Sequence, residues 1–152
     1  MSQSSVPAPD LTQRPPRSPR VRLGGFPILP RALDKGRAKA AGKAGEYHYN
    51  CPLDKSFFEF VKIDGEAVFE EIKKGKGDWE ILEWILANAA HKPTAWDIAQ
   101  WAAFVEARGF DTVQQKERIL NETKRINEKR SDLLTRFDLL DLDDYISYGG
   151  QA

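Results

Sequence analysis

The amino-acid sequence predicts an all-α fold, an irregular helical bundle with an extended, basic N-terminal arm. The stretch 78–109 supports this most strongly, because it reads as two amphipathic helices joined at Pro93 and contains all four tryptophans. Apolar residues recur at helical spacing in both halves: Ile81, Leu82, Ile85, Leu86 and Ala89, then Ile98, Trp101, Ala102 and Val105. No other stretch has so continuous an apolar face. We therefore expect the remaining helices to pack around this Trp-rich helical hairpin.

The N-terminal arm is predicted from a run of prolines and arginines, RPPRSPRVRLGG, that starts at Arg14. Prolines exclude helix there and favour polyproline II, whose three residues per turn place Arg14, Arg17 and Arg20 on one edge. Such a ladder of guanidinium groups suits spaced carboxylates or phosphates. The alternative is a solvated tail that is loosely attracted to the acidic body of its own chain.

Length predicts one domain, since 152 residues suffice for a hydrophobic core. We divide the chain into an extended or disordered arm (1–25), a single helical domain (26–148) and a C-terminal tail (149–152). Cys51 is the only cysteine, which favours a reducing compartment. No apolar run is long enough to span a bilayer. We therefore expect a cytoplasmic protein.

Charge is unevenly distributed along the chain. Residues 1–45 hold nine Lys or Arg against Asp10 and Asp34, a net +7, and the remainder is correspondingly −7. An acidic body without a known nucleic-acid motif makes nucleic-acid binding unlikely. It favours an arm that contacts an acidic surface, on its own chain or on a protein partner. The acidic end of the chain, with Asp138, Asp141, Asp143 and Asp144, is one candidate surface.

Local signals set the expected helix boundaries. Pro30 suits the first residue of a helix that ends near Ala41, with a thin apolar stripe. A short, very apolar helix follows Pro52. Further expected starts are Asp64 as an N-cap, Asp78 as the cap of the first hairpin helix, and Thr94 with Asp97 as a capping box. A last long helix is expected from Asp111 to at least Arg130.

The segment from Glu46 to Asp54, EYHYNCPLD, is the densest cluster of functional side chains, including Tyr47 and Tyr49. If Pro52 begins a helix, Cys51 is its N-cap, where free N–H groups favour a nucleophilic thiolate. His48 is then a candidate base and Asp54 or Glu46 a candidate orienting group. The alternative is that Cys51 is a small buried hydrophobic residue.

A metal site at the same segment would use His48, Cys51 and Asp54 as ligands, with His91 as a fourth. One cysteine and two histidines meet no standard zinc spacing. The loop KKGKG at 73–77 lacks the order of a phosphate-binding loop. The sequence therefore predicts no metal and no cofactor.

The segments RPPRSPRVRLGG, LPRALDKGRA, GEYHYNCPLD and GDWEILEWI resemble an uncharacterised bacterial family, domain of unknown function 5069. The resemblance extends from Leu11 to about residue 110. It implies a bacterial origin and an arm that belongs to the domain. It implies no reaction, cofactor or catalytic residue.

Two functional hypotheses follow. The first is a non-enzymatic accessory protein whose arm docks on an acidic partner through Arg14, Arg17, Arg20 and Arg22. The second is a small-molecule enzyme or binding protein with its site where the arm meets the first helix and the Tyr47–Asp54 segment. In the second, Cys51 is the nucleophile, His48 the base, and Arg22 or Arg31 an anion anchor.

Overall fold

The structure is a computed structural model that describes residues 6–109, 112–127, 130 and 132–150, without the side chains of 119, 123 and 125–127. Within these ranges it has seven helices and no strand, which confirms the all-α prediction. They are α1 (Leu29–Ala40), α2 (Pro52–Val61), α3 (Gly65–Lys73), α4 (Asp78–Asn88), α5 (Ala95–Ala107), α6 (Val113–Asn127) and α7 (Arg136–Ser147). No helix in the described part is both long enough and apolar enough to cross a bilayer.

Helix α1 is the most buried helix of the bundle. Nine of its 12 residues are buried, and it packs against α2 and α3. Three of the nine are the basic residues Arg31, Lys35 and Arg37, whose charges are matched by carboxylates from other segments. The Trp-rich hairpin was expected at the centre, but its Trp79 and Trp96 are exposed to solvent. Helix α1 lies at the centre instead. Apolar spacing did not predict this, because three of its buried residues are charged.

The largest aromatic cluster is formed around Phe26, which directly follows the arm. Its ring meets Phe57 edge to face at 5.2 Å between centroids and also contacts Phe60 and Trp101. Phe60 and Trp101 stack in parallel at 4.8 Å. Residues from the arm boundary, α2 and α5 therefore share one core, as aromatic pairs favour offset and edge-to-face contact.

Several helix starts agree with the sequence prediction. Helix α2 begins at Pro52 with Cys51 as its N-cap. The carboxylate of Asp64 accepts a hydrogen bond from the backbone N–H of Glu66, which makes it the cap of α3. The Thr94–Asp97 capping box of α5 is present, with hydrogen bonds of 2.9 and 3.2 Å. These signals depend on neighbours in sequence and were therefore readable.

Two boundaries differ from the prediction. Gly77, not Asp78, is the N-cap of α4, because the carboxylate of Asp78 is held by arginines. The helix expected from Asp111 to at least Arg130 spans Val113–Asn127 in the described residues, and Arg130 is not helical; residues 111, 128 and 129 lie outside the described ranges. A separate helix, α7, follows, and Thr135 caps it through the backbone N–H of Asp138.

The arm lies extended on the helices. Leu11 is 1% exposed, its backbone N–H donates to the carbonyl of Lys43 at 2.9 Å, and its carbonyl accepts from the Tyr148 hydroxyl. A Cβ on Gly45 would lie 2.9 Å from that same carbonyl oxygen, so the close approach of the arm requires glycine. The arm is thus part of the packed structure from residue 6 onward; residues 1–5 and 151–152 lie outside the described ranges.

Candidate functional site

The arm's Arg17 is bound to the helical body. Its guanidinium lies 3.0 Å from Asp34 on α1 and 2.9 Å from Asp78 on α4. Arg37 donates to Asp78 as well, at 2.8 Å. Partial burial raises the pKa of Asp78, but the hydrogen bonds from Arg17 and Arg37 outweigh it, and the net pKa is below the ordinary value. Asp78 therefore joins the arm, α1 and α4.

Two further arginines of the arm contact acidic residues of the same chain. Arg20 pairs with Asp138 and, at 3.0 Å, with Asp141 of α7, and Arg22 pairs with Glu106 of α5 at 2.8 Å. The acidic C-terminal segment is thus a complement of the arm, as the sequence suggested. Arg14 is exposed and has no ion pair among the described residues.

A cavity of about 590 Å³ opens between the arm, α1, the segment after α1, and α7. This is the place that the second hypothesis predicted. Its walls contain several polar side chains, and Leu53 and Leu140 supply apolar surface. The polar residues on its lining are Thr12, Arg31, Lys35, Glu46, Tyr47, His48, Cys51, Asp143, Ser147 and Tyr148.

Lys35 connects the cavity to a buried carboxylate. Its Nζ lies 2.9 Å from Oδ1 of Asp54, a residue with no solvent exposure. The two atoms form an ion pair, but their geometry is not that of a hydrogen bond. The same ammonium donates to the carbonyl of His48 at 3.1 Å and to Sγ of Cys51 at 3.2 Å. Asp54 Oδ2 accepts from the backbone N–H of Asn50 at 2.9 Å, which fixes the turn before α2. A positive charge is therefore held against a half-buried thiol at the cavity wall.

The opposite wall is fixed by a second buried ion pair. Arg31 lies 2.7 Å from Asp144 of α7, and the side chains are 4% and 9% exposed. The hydroxyl of Tyr47 donates to the same carboxylate at 2.6 Å, and the Arg31 guanidinium lies over the Tyr47 ring at 5.5 Å. Burial, followed by the contact with Asp144, raises the pKa of Tyr47 well above its ordinary value. Tyr47 is thus a neutral hydrogen-bond donor.

The predicted site residues do not all meet at this cavity. Tyr47, His48, Cys51 and Arg31 line it, and the structure describes no hydrogen bond from the His48 imidazole to Cys51. Asp54 is buried behind Lys35. The other candidates lie elsewhere: Tyr49 is in the core with its hydroxyl on the Gly65 carbonyl, Arg22 is at α5, and His91 packs on Phe60.

Lys35 is not among the predicted site residues, because it lies outside the apolar stripe of α1. One signal was available: Arg31 and Lys35 are four residues apart and so share a helix face. Thr12 and Tyr148 were also missed. They come from the two ends of the described chain, and no local pattern predicts that they meet.

The fold and site define a small all-α domain that holds an ammonium group against a thiol at the wall of a cavity. The model of a family described as "Domain of unknown function (DUF5069)" matches residues 13–146, so the chain belongs to that family. A search of curated proteins finds no match to the chain.

Proposed function

We propose that this protein binds a small polar organic molecule in the cavity between the arm, α1 and α7, with Cys51 as a reactive thiol. The observation that carries the proposal is the ammonium of Lys35 at 3.2 Å from Cys51 Sγ. A thiolate is the nucleophilic form of cysteine, and a neighbouring cation favours it. The N-cap position of Cys51 on α2 acts in the same direction.

The cavity's size and lining suit such a ligand. A volume of about 590 Å³ lies within the usual range of roughly 300–1,000 Å³ for small-molecule sites. The walls combine apolar patches with a few fixed polar groups, as ligand sites generally do. The buried pairs of Arg31 with Asp144 and Lys35 with Asp54 hold those groups in place before a ligand arrives.

The chemistry we propose is addition of the Cys51 thiolate to an electrophilic carbon of the ligand, such as a carbonyl carbon. The sulfur's electron pair forms the new bond, and the carbonyl π pair moves to oxygen. We assign the stabilisation of that oxygen to the Lys35 ammonium, which lies 3.2 Å from the attacking sulfur. His48, exposed on the same wall, is the available base.

The rate of Cys51 alkylation as a function of pH tests this proposal. Cys51 is the only thiol in the chain, so intact-protein mass spectrometry after iodoacetamide treatment reports it alone. At any fixed pH, we expect the alkylation rate to be at least tenfold lower in Lys35→Met than in wild type. The matched control is Lys55→Met, which removes an exposed charge four residues after Cys51. A thiol that reacts only above about pH 8, as an unperturbed cysteine does, would remove Cys51 as a nucleophile.

Ligand binding needs a separate measurement. A thermal-shift screen of small carbonyl and carboxylate compounds, repeated with Cys51→Ser, separates binding from covalent chemistry. Compounds that stabilise the protein should also slow Cys51 alkylation. If stabilising compounds leave the alkylation rate unchanged, the cavity is not their site, and the binding proposal fails.

The arm-docking hypothesis remains a second candidate, supported by the exposure of Arg14. Arg17, Arg20 and Arg22 already contact carboxylates of their own chain, so a partner would have to compete with those contacts. A partner found by affinity capture whose binding survives replacement of all four arginines by alanine would contradict it. The proposals of a bacterial origin and a cytoplasmic location accompany both functions and rest on the sequence.

A further inference from the structure

Helix α5 has an apolar face that the described structure leaves exposed. The face consists of the apolar residues Trp96, Ala99, Ala103, Phe104 and Ala107 and one uncharged polar residue, Gln100; we call it the α5 face. Trp96 is 69% exposed and Phe104 60%. The opposite side of α5, with Ala102 and Val105, is buried in the core. A helix that is apolar on both sides is typical of one that is covered on both sides.

The chemistry of the α5 face is self-complementary. It carries no charged residue, so two copies of it meet without burying an unpaired charge. Ala99, Ala103 and Ala107 form a ridge of small side chains at i, i+4, i+8, which allows close approach of a second helix. Trp96 lies before that ridge and Phe104 beside its centre, and both are residue types enriched in protein–protein interfaces.

Charges at the two ends of α5 select the orientation. Asp97 lies in the first turn, and Arg108 follows the last residue, with its guanidinium over the Phe104 ring at 5.8 Å. Eleven residues separate them, so at 100° per residue they lie on nearly the same edge of the helix. An antiparallel pair of α5 helices places Asp97 of each copy opposite Arg108 of the other. A parallel pair places Asp97 of each copy at the level of Asp97 of the other, far along the axis from either Arg108, and aligns the helix dipoles unfavourably.

We propose that the α5 face is a homodimer interface in which α5 of one copy packs antiparallel on α5 of a second copy. The two-fold axis passes near Ala103, midway between Asp97 and Arg108. The two aromatic rings present on the order of 250 Å² per copy, from side-chain areas of about 150–250 Å² each. This is below the roughly 800 Å² per partner of a standard interface, so the dimer is weak and depends on concentration.

Sedimentation equilibrium of the full chain between about 5 and 500 µM tests the proposal. Wild type should change from monomer to dimer over this range, and Phe104→Glu should weaken association tenfold or more, because it buries a charge in the interface. The matched control is Trp79→Glu, at an aromatic on α4 that is 63% exposed and lies off the α5 face. It should dimerise as wild type does. Ala103→Glu is the second variant, and circular dichroism checks that each variant is folded.

Disulfide trapping in a Cys51→Ser background tests the orientation. Ala103→Cys lies beside its own symmetry mate and should form a cross-linked dimer under mild oxidation. Ala107→Cys should not, because about nine residues at 1.5 Å rise place it roughly 14 Å along the axis from its mate. A monomeric wild type at 500 µM, or a dimer weakened by Trp79→Glu but not by Phe104→Glu, overturns the proposal. Equal cross-linking at both positions overturns the antiparallel arrangement.

Discussion

Replacement of Asp144 by alanine is the most informative test of how α7 is held on the bundle. Asp144 binds both Arg31 at 2.7 Å and the Tyr47 hydroxyl at 2.6 Å, and its side chain is 9% exposed. The variant leaves the guanidinium, which is 4% exposed, without its counter-ion. Breaking a buried pair on one side costs roughly 3–5 kcal/mol, because the remaining charge stays in a poorly solvated place.

That loss is measurable by urea denaturation followed by tryptophan fluorescence and circular dichroism. For a chain of this size, 3–5 kcal/mol corresponds to a fall in Tm of roughly 10 °C. Glu70→Ala is the control, since it breaks an ion pair with Lys73 in which Glu70 is 64% exposed. It should change the free energy of unfolding by less than about 0.5 kcal/mol.

A double replacement separates two contributions to the loss of stability: the missing attraction between Arg31 and Asp144, and the burial of an unpaired Arg31 charge. Arg31→Met combined with Asp144→Leu removes both charges and keeps apolar volume, so it should recover a large part of the stability lost by Asp144→Ala. If Asp144→Ala costs less than about 1 kcal/mol, the pair is solvated in solution. Helix α7 would then not be a fixed wall of the cavity.

Three other predictions concern the rest of the fold. Asp78→Asn should make the free energy of unfolding less dependent on pH in acid. The pKa of Asp78 is lowered on folding, so this carboxylate stabilises the protein above about pH 4, and the stabilisation is lost as the pH falls through the folded pKa. Urea midpoints measured from pH 2.5 to 6 will show the difference. Phe26→Ala should cost roughly 3–5 kcal/mol and alter the fluorescence of the adjacent Trp101, because the ring is 1% exposed in the aromatic cluster; an unchanged urea midpoint would remove Phe26 from the core. Gly36→Ala should lower the free energy of unfolding by roughly 1–3 kcal/mol, because the new Cβ would lie 2.6 Å from Cδ1 of Ile72. A variant as stable as wild type would show that the Ile72 side chain moves aside freely.

Short-range signals in the sequence predicted the helices well. The N-cap position of Cys51, the cap at Asp64 and the box at Thr94 depend on residues within three positions of each other. Each capping side chain needs only the free backbone N–H groups of its own helix end, so the surrounding fold hardly affects the prediction. The cap at Asp78 failed because Arg17, 61 residues away, binds its carboxylate instead.

The centre of the bundle was harder to predict for a related reason. Arg31 and Lys35 lie outside the apolar stripe of α1, and their burial depends on Asp144 and Asp54. Apolar periodicity finds a buried face only where the face is apolar. Apolar spacing does not detect a helix that is buried through ion pairs, because the partners come from other segments. The predicted site therefore included Cys51 and His48 but not Lys35.

The contacts between the arm and α7 also bear on the order in which the chain folds. The Tyr148 hydroxyl meets the Leu11 carbonyl across 137 positions of sequence, and Ser18 meets Asp141 across 123. Contacts this distant close large loops and form slowly relative to the local helices. During synthesis from the N-terminus, α1 and the thiol of Cys51 emerge long before the segment that walls the cavity. The cavity is therefore completed only after α7 has been made, and until then Arg31 is without Asp144.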